Sequence, residues 1–154
     1  MDEGDRRLLC RVANYQFGSG AGPALFPADG VAEVTHTSSG RPRQVHAESG
    51  RLVTYGVDGR LRLGLAGGRR LQAALDAPAY RVVVGDESDP FVREGRNAMA
   101  KFVQESDVAI RPLDEVLVEH VDGDLLAVGR AELSGSGMAD FETGVAVRVR
   151  EGAD

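Results

Sequence analysis

Between Asp89 and Val103 the chain sets Arg93, Arg96 and Lys101 around a glycine, Gly95. Guanidinium and ammonium groups at that spacing can meet successive phosphates of a nucleic-acid backbone, arginine through a two-pronged fork and lysine as a point charge. A glycine among them lets a partner approach with no Cβ in the way. Lys101 is the only lysine in the protein; every other basic side chain is arginine. Other chemistries are poorly supplied. No nucleophile elbow, catalytic dyad or helical pair of carboxylates occurs, and the hydroxyl-rich stretch from Thr37 to Gly40 has no adjacent base. Asp86, Glu87 and Asp89 cluster at the start of a helix, where acids stabilise the helix end. The glycines from Gly18 to Gly22 lack a following lysine with serine or threonine and do not have the GxGxxG spacing, so they predict a structural tight turn. His36, His46 and His120 are scattered without metal-ligand spacing and predict surface or turn positions; no metal and no cofactor is expected. The chain lacks the parts of a self-contained enzyme.

The basic residues need elements to hold them. Tyr80 to Val84 reads as a strand buried on both faces. The Asp89-Pro90 opening then predicts a short helix that feeds a strand from Ala100 to Gln104. Ile110 to Glu115 is a turn. Val116 to Val121 and Leu125 to Leu133 predict a hairpin through Asp122-Gly123-Asp124. A helical turn at Gly135 to Asp140 and a closing strand from Gly144 to Val149 complete a compact barrel, with strands from Tyr80 and Gly144 closing it. Asp76-Ala77-Pro78 breaks the pattern upstream. Before it, Leu8 to Val12 and Val31 to Thr35 have strand-like content, with Cys10 a small buried side chain in the first. Pro23 to Phe26 reads as one helical turn, Thr37 to Arg43 as an exposed loop, and Leu52 to Tyr55 with Arg60 to Leu65 as a hairpin through Val57-Asp58-Gly59. Leu65 to Leu75 carries leucines at helical spacing, with Arg69 and Arg70 on the other side.

No apolar run approaches the roughly 20 residues of a membrane span, and the N-terminus, MDEGDRR, lacks the order of a secretion signal. A cytoplasmic protein with no membrane partner is expected. One cysteine allows no internal disulfide. Residues 1–77 hold ten arginines against eight acids, whereas residues 78–154 hold eight basic residues against sixteen acids. Acidification with lysine all but absent predicts a halophilic protein, because at molar salt the Debye length is about 3 Å and net charge loses its steering role.

The second half resembles a PUA domain, the RNA-binding barrel named for pseudouridine synthases and archaeosine transglycosylases. The carriers are RVVV, DPFVREGRNAMAKFV, IRPLDEVLVEHVDGDLLAVGRAELS and MADFETGVAVRVRE, in order from Tyr80 to Glu151. The first half is similar to the module preceding that domain in archaeal tRNA-guanine transglycosylases. There the carriers are Asn14-Tyr15-Gln16-Phe17-Gly18, Gly20-Ala21-Gly22, Leu25-Phe26-Pro27 and Ser39 to Val45. The resemblance implies an α+β protein: a small α/β module, residues 1–77, packed on a PUA-type β-barrel, residues 78–154. It implies structured RNA as partner, above all the acceptor-stem region of tRNA, bound without catalysis in connection with tRNA modification. The matching edge would be Arg93, Gly95, Arg96 and Lys101, with Arg148 as an addition. A second reading is an accessory subunit that docks on a tRNA-modifying enzyme and supplies its missing tail; it predicts an exposed patch of Tyr15, Phe17 and Phe26.

Overall fold

A carboxylate starts the first helix: Asp2 accepts the Asp5 N–H at 3.0 Å, ahead of α1 (Glu3–Phe17). Glu3 and Asp5 in the first turn suit the positive end of the helix. The computed structural model describes residues 1–154, which divide into two compact units, Met1–Leu75 and Asp76–Asp154.

In the first unit, α1 replaces the strand expected at Leu8 to Val12. That short apolar run belongs to a longer pattern in which Leu9, Ala13 and Phe17 recur every four residues and are buried together. Cys10 is half-buried rather than buried, and what burial it has raises its thiol pKa. Gly18 ends α1 and Gly20 opens α2 (Ala21–Leu25), while Asn14 Oδ1 accepts the Gly22 N–H at 2.7 Å. The glycine run is thus a helix-to-helix turn. Four antiparallel strands follow in sequence order: β1 (Glu33–His36), β2 (Pro42–Ala47), β3 (Gly50–Tyr55) and β4 (Leu61–Leu63). Their buried side chains, Val45, Leu52, Val53, Leu61 and Leu63, share the core with Leu71 of α3 (Leu65–Ala74). Arg70, expected on the outer side of α3, instead donates to the carbonyls of Leu25 and Gly30 at 2.9 and 2.8 Å. The expected open loop is a hairpin turn, and Arg41 lies 3.9 Å over the Tyr55 ring. Phe17 and Phe26 are core residues at 4% and 0% exposure, so the expected apolar patch shrinks to Tyr15. Those two rings complete the small core of the unit.

The second unit contains β5 (Arg81–Val84), α4 (Asp89–Arg93), β6 (Ala98–Met99), a 3-10 turn (Ala100–Phe102), β7 (Val103–Ser106), β8 (Glu115–His120), β9 (Leu125–Ala131), a second 3-10 turn (Met138–Asp140) and β10 (Val145–Gly152). The sheet order is β6-β10-β9-β8-β5-β7, with β5 parallel to β8 and every other pair antiparallel. Its six strands form a nearly closed barrel. The two edge strands, β6 and β7, follow one another in the chain with only the first 3-10 turn between them. The seam therefore lies there, not between the strands from Tyr80 and Gly144, and of the strand expected at Ala100 to Gln104 only Val103 and Gln104 are β, Ala100–Phe102 forming the 3-10 turn. A strand cannot serve both edges of the same sheet without a break. Val82, Val84, Val92, Val116, Val118, Leu126, Met138 and Val147 fill the interior. Two charged pairs are sunk into the wall: Arg81 with Glu119 at 3.2 Å, and Arg150 with Glu115 through two bonds of 2.5 and 2.8 Å. His120, expected at a surface or turn position, ends β8 at the hairpin turn and is 9% exposed. No helix is long and apolar enough to cross a membrane.

Candidate nucleic-acid interface

Asp89 and Arg93 stand one turn apart on α4, and the carboxylate accepts Arg93 Nε and Nη2 at 3.0 and 3.1 Å. The bond to Arg93 holds the Asp89 carboxyl below its usual pKa and raises that of Arg93. Arg93 also lies 3.9 Å from Asp124 of the β8–β9 turn. Its guanidinium is committed to carboxylates.

The chain leaves α4 through Gly95, at φ +101°, with nothing within 4 Å of the place a Cβ would occupy. A left-handed residue is needed for this turn, and the open side faces outward. Arg96 is exposed and sits 5.7 Å from the Phe91 ring; Lys101, exposed on the first 3-10 turn, has its ammonium 4.9 Å from the Phe102 ring. Neither cation has a carboxylate partner. Glu87, Phe91, Gly95, Arg96, Asn97 and Met99, with Phe102, line an open groove of about 590 Å³. Ser88 also lines it, and its buried hydroxyl has no hydrogen-bond partner. Arg148, exposed on β10, donates from Nε to Glu132 at 2.7 Å, and Arg130 joins the same carboxylate at 3.1 Å. These two bonds lower the Glu132 pKa, Arg148 contributing most.

The structure thus gathers Gly95 and Arg96 into one groove and stands Lys101 at its Phe102 wall. Arg93 and Arg148 lie outside the lining, each held by an acid. Two further residues set the edge. Asn97 Oδ1 accepts the Val149 N–H at 3.0 Å, tying the turn after α4 to β10. Gly152, on β10, backs directly on the helix end: a Cβ there would stand 2.3 Å from the Arg93 carbonyl oxygen and 2.8 Å from the Gly95 nitrogen. Nothing in the local pattern around Gly152 or Asn97 announces either contact. No group of three or more histidine, cysteine or acidic side chains could hold a metal ion.

Residues 80–153 match the PUA domain family, and residues 7–78 match the patch-forming domain C2 of tRNA-guanine transglycosylase. It is a PUA-domain protein. The PUA-domain chain is 43% identical over 150 residues to the tRNA-guanine(15) transglycosylase of Thermococcus kodakarensis, covering 97% of itself and 25% of that protein. With the corresponding protein of Pyrococcus furiosus it shares 46% identity over 147 residues, covering 95% and 24%. It therefore spans about a quarter of the length of these curated relatives. Two solved structures share the fold. One is a hypothetical protein from Pyrococcus horikoshii, with a TM-score of 0.70 at 22% identity over 99% of this chain and 92% of that one. The other is a conserved PUA domain protein from Thermoplasma acidophilum, at 0.66 and 18% over 97% and 89%.

Proposed function

We propose that the protein binds structured RNA, gripping the acceptor-stem end of a tRNA, and that it serves tRNA modification without catalysing a step itself. Residues 78–154 act as the RNA-binding barrel and residues 1–77 as the module before it. The observation that carries this is the groove beside α4. Two cations without acid partners, Arg96 and Lys101, each flank an aromatic ring, and Gly95, next to Arg96, leaves the backbone open. Such groups neutralise phosphate and present flat apolar faces; they do not move protons. The similarity to transglycosylases of tRNA supports tRNA as the RNA. Within the edge, Arg96, Lys101 and Gly95 make the primary contacts, and Arg93 and Arg148 add to them by exchanging a carboxylate for phosphate.

Fluorescence anisotropy against a tRNA transcript, at several potassium chloride concentrations, tests this. Binding should weaken with salt at a slope near that of about two to four phosphate contacts. Equal affinity for a transcript lacking the acceptor stem would move the contact elsewhere, and absence of affinity at every salt would overturn the RNA reading.

We also assign the protein to a salt-rich archaeal cytoplasm, on the strength of the sixteen acids in residues 78–154 and the single lysine. Unscreened, those acids repel one another. The melting midpoint should rise between low and molar potassium chloride; an equal or lower midpoint at molar salt counts against adaptation to brine.

A further inference from the structure

One imidazole joins the β8–β9 hairpin to the turn that leads into α4. His120 is the last residue of β8, and its Nε2 lies 2.6 Å from Asp86 Oδ1. Asp86 belongs to the turn from Gly85 to Ser88, where the Gly85 carbonyl accepts the N–H groups of Ser88 and Asp89 at 3.1 and 3.2 Å. It therefore stands at the threshold of α4. On the other side of the ring, Nδ1 is 3.1 Å from both the Asp122 nitrogen and Asp122 Oδ1.

A neutral ring satisfies these neighbours in one way. Nε2–H donates to Asp86, and Nδ1 accepts the Asp122 N–H. A protonated ring donates from both nitrogens, to Asp86 and to the Asp122 carboxylate, and its bond to Asp86 becomes charge-assisted. The surrounding charges favour the proton. Asp89 of α4 also interacts with His120, while its carboxylate accepts two bonds from Arg93. The groove on the far side of His120 is walled by Arg81 of β5, which is paired to Glu119, and by Glu105 and Asp107. The His120 pKa is raised above the usual imidazole value, first by the bond to Asp86 and then by Asp122.

We propose that His120 is a positioning residue for the RNA-facing edge: through Asp86 it holds the start of α4, and its protonation tightens that hold. The consequence for binding rests on the RNA reading above; the contact itself does not. Because the folded pKa is raised, the added stability is complete below the unfolded value of about 6.5 and is lost as pH rises through the folded pKa. The edge is firmest in mildly acidic solution.

Two measurements test it. In the free protein, the amide resonances of Ser88 to Gly95 should titrate together with the His120 ring. Asp86→Ala should uncouple them, and Asp86→Glu should restore the coupling. A His120 ring that titrates while those amides stay still overturns the proposal, whatever the RNA does. In tRNA binding, wild-type affinity should fall about threefold as pH rises through that titration, a modest share of one charge-assisted bond. Asp86→Ala removes a negative charge near the cations, so electrostatics alone would strengthen binding. Positioning predicts weaker binding that no longer follows pH. Tighter binding with an unchanged pH profile overturns the proposal. If the wild type binds no RNA, the RNA reading fails, and the amide titration still decides the contact.

Discussion

Replacing Arg96 and Lys101 together by glutamine should weaken tRNA binding by about 3 kcal/mol, on the order of a hundredfold in Kd. Both side chains are exposed, neither has an acid partner, and each lies against an aromatic ring that shields one side from water. A phosphate can therefore take them without displacing anything. Arg93→Gln and Arg148→Gln should each matter less, because these guanidinium groups begin bonded to Asp89 and Glu132 and must give up those bonds to reach phosphate. Charge-matched controls are Arg7→Gln with Arg111→Gln, which remove two exposed cations outside the groove. Anisotropy at matched salt reads all of these, and the double variant should also flatten the salt dependence by about two contacts. Binding like wild type by the double variant, or an equal loss in the control, sinks the assignment.

Gly129→Ala should cost the fold about 3 kcal/mol, at the upper end of overpacking. Gly129 sits mid-strand in β9, opposite Val116 on β8 and Val149 on β10. A methyl group there would stand 2.3 Å from the Arg148 carbonyl oxygen and 2.9 Å from the Val149 Cα. Both are main-chain atoms, so no rotamer change relieves the contact and β10 must move away from β9. Since β10 also pairs with β6 and backs α4, the displacement reaches the barrel seam. Urea melts with unchanged slope would measure it. A loss under about 1 kcal/mol would mean that the strands part locally at little cost.

What could be read in the sequence was whatever is encoded over a few neighbouring residues. The β8–β9 hairpin follows from Asp122-Gly123-Asp124, α4 from its Asp-Pro opening, and α3 from its leucine spacing. The misread elements failed for physical reasons. Leu8 to Val12 looks strand-like by itself, yet the burial of Leu9, Ala13 and Phe17 is helical over a longer window. Ala100 to Gln104 reads as a strand, yet the chain must form both edges of one sheet here, and the 3-10 turn that carries Lys101 falls between them. At the site, the positions of the cations could be read, but their availability could not. Arg93 and Asp89 are a helical i, i+4 pair, visible in the local pattern. Arg148 meets Glu132 only because β10 lies beside β9. His120 meets Asp122 locally, but its bond to Asp86 comes from a turn 34 residues upstream, and Gly152 is defined by a helix end remote in sequence.

The parallel pairing of β5 with β8 has a consequence for how a bound RNA would be felt. The chain leaves β5 at Val84 and returns at Glu115, and α4, β6, the Lys101 turn and β7 all lie within that excursion. Gly95, Arg96 and Lys101 thus sit on one crossover connection, which leaves the β5–β8 pair at one end and returns to it at the other. A ligand that fixes the loop draws on the same closure that brings β5 against β8. Amide exchange should then slow in Val82 to Val84 and in Leu117 to Glu119, far from any phosphate, as well as in the loop itself.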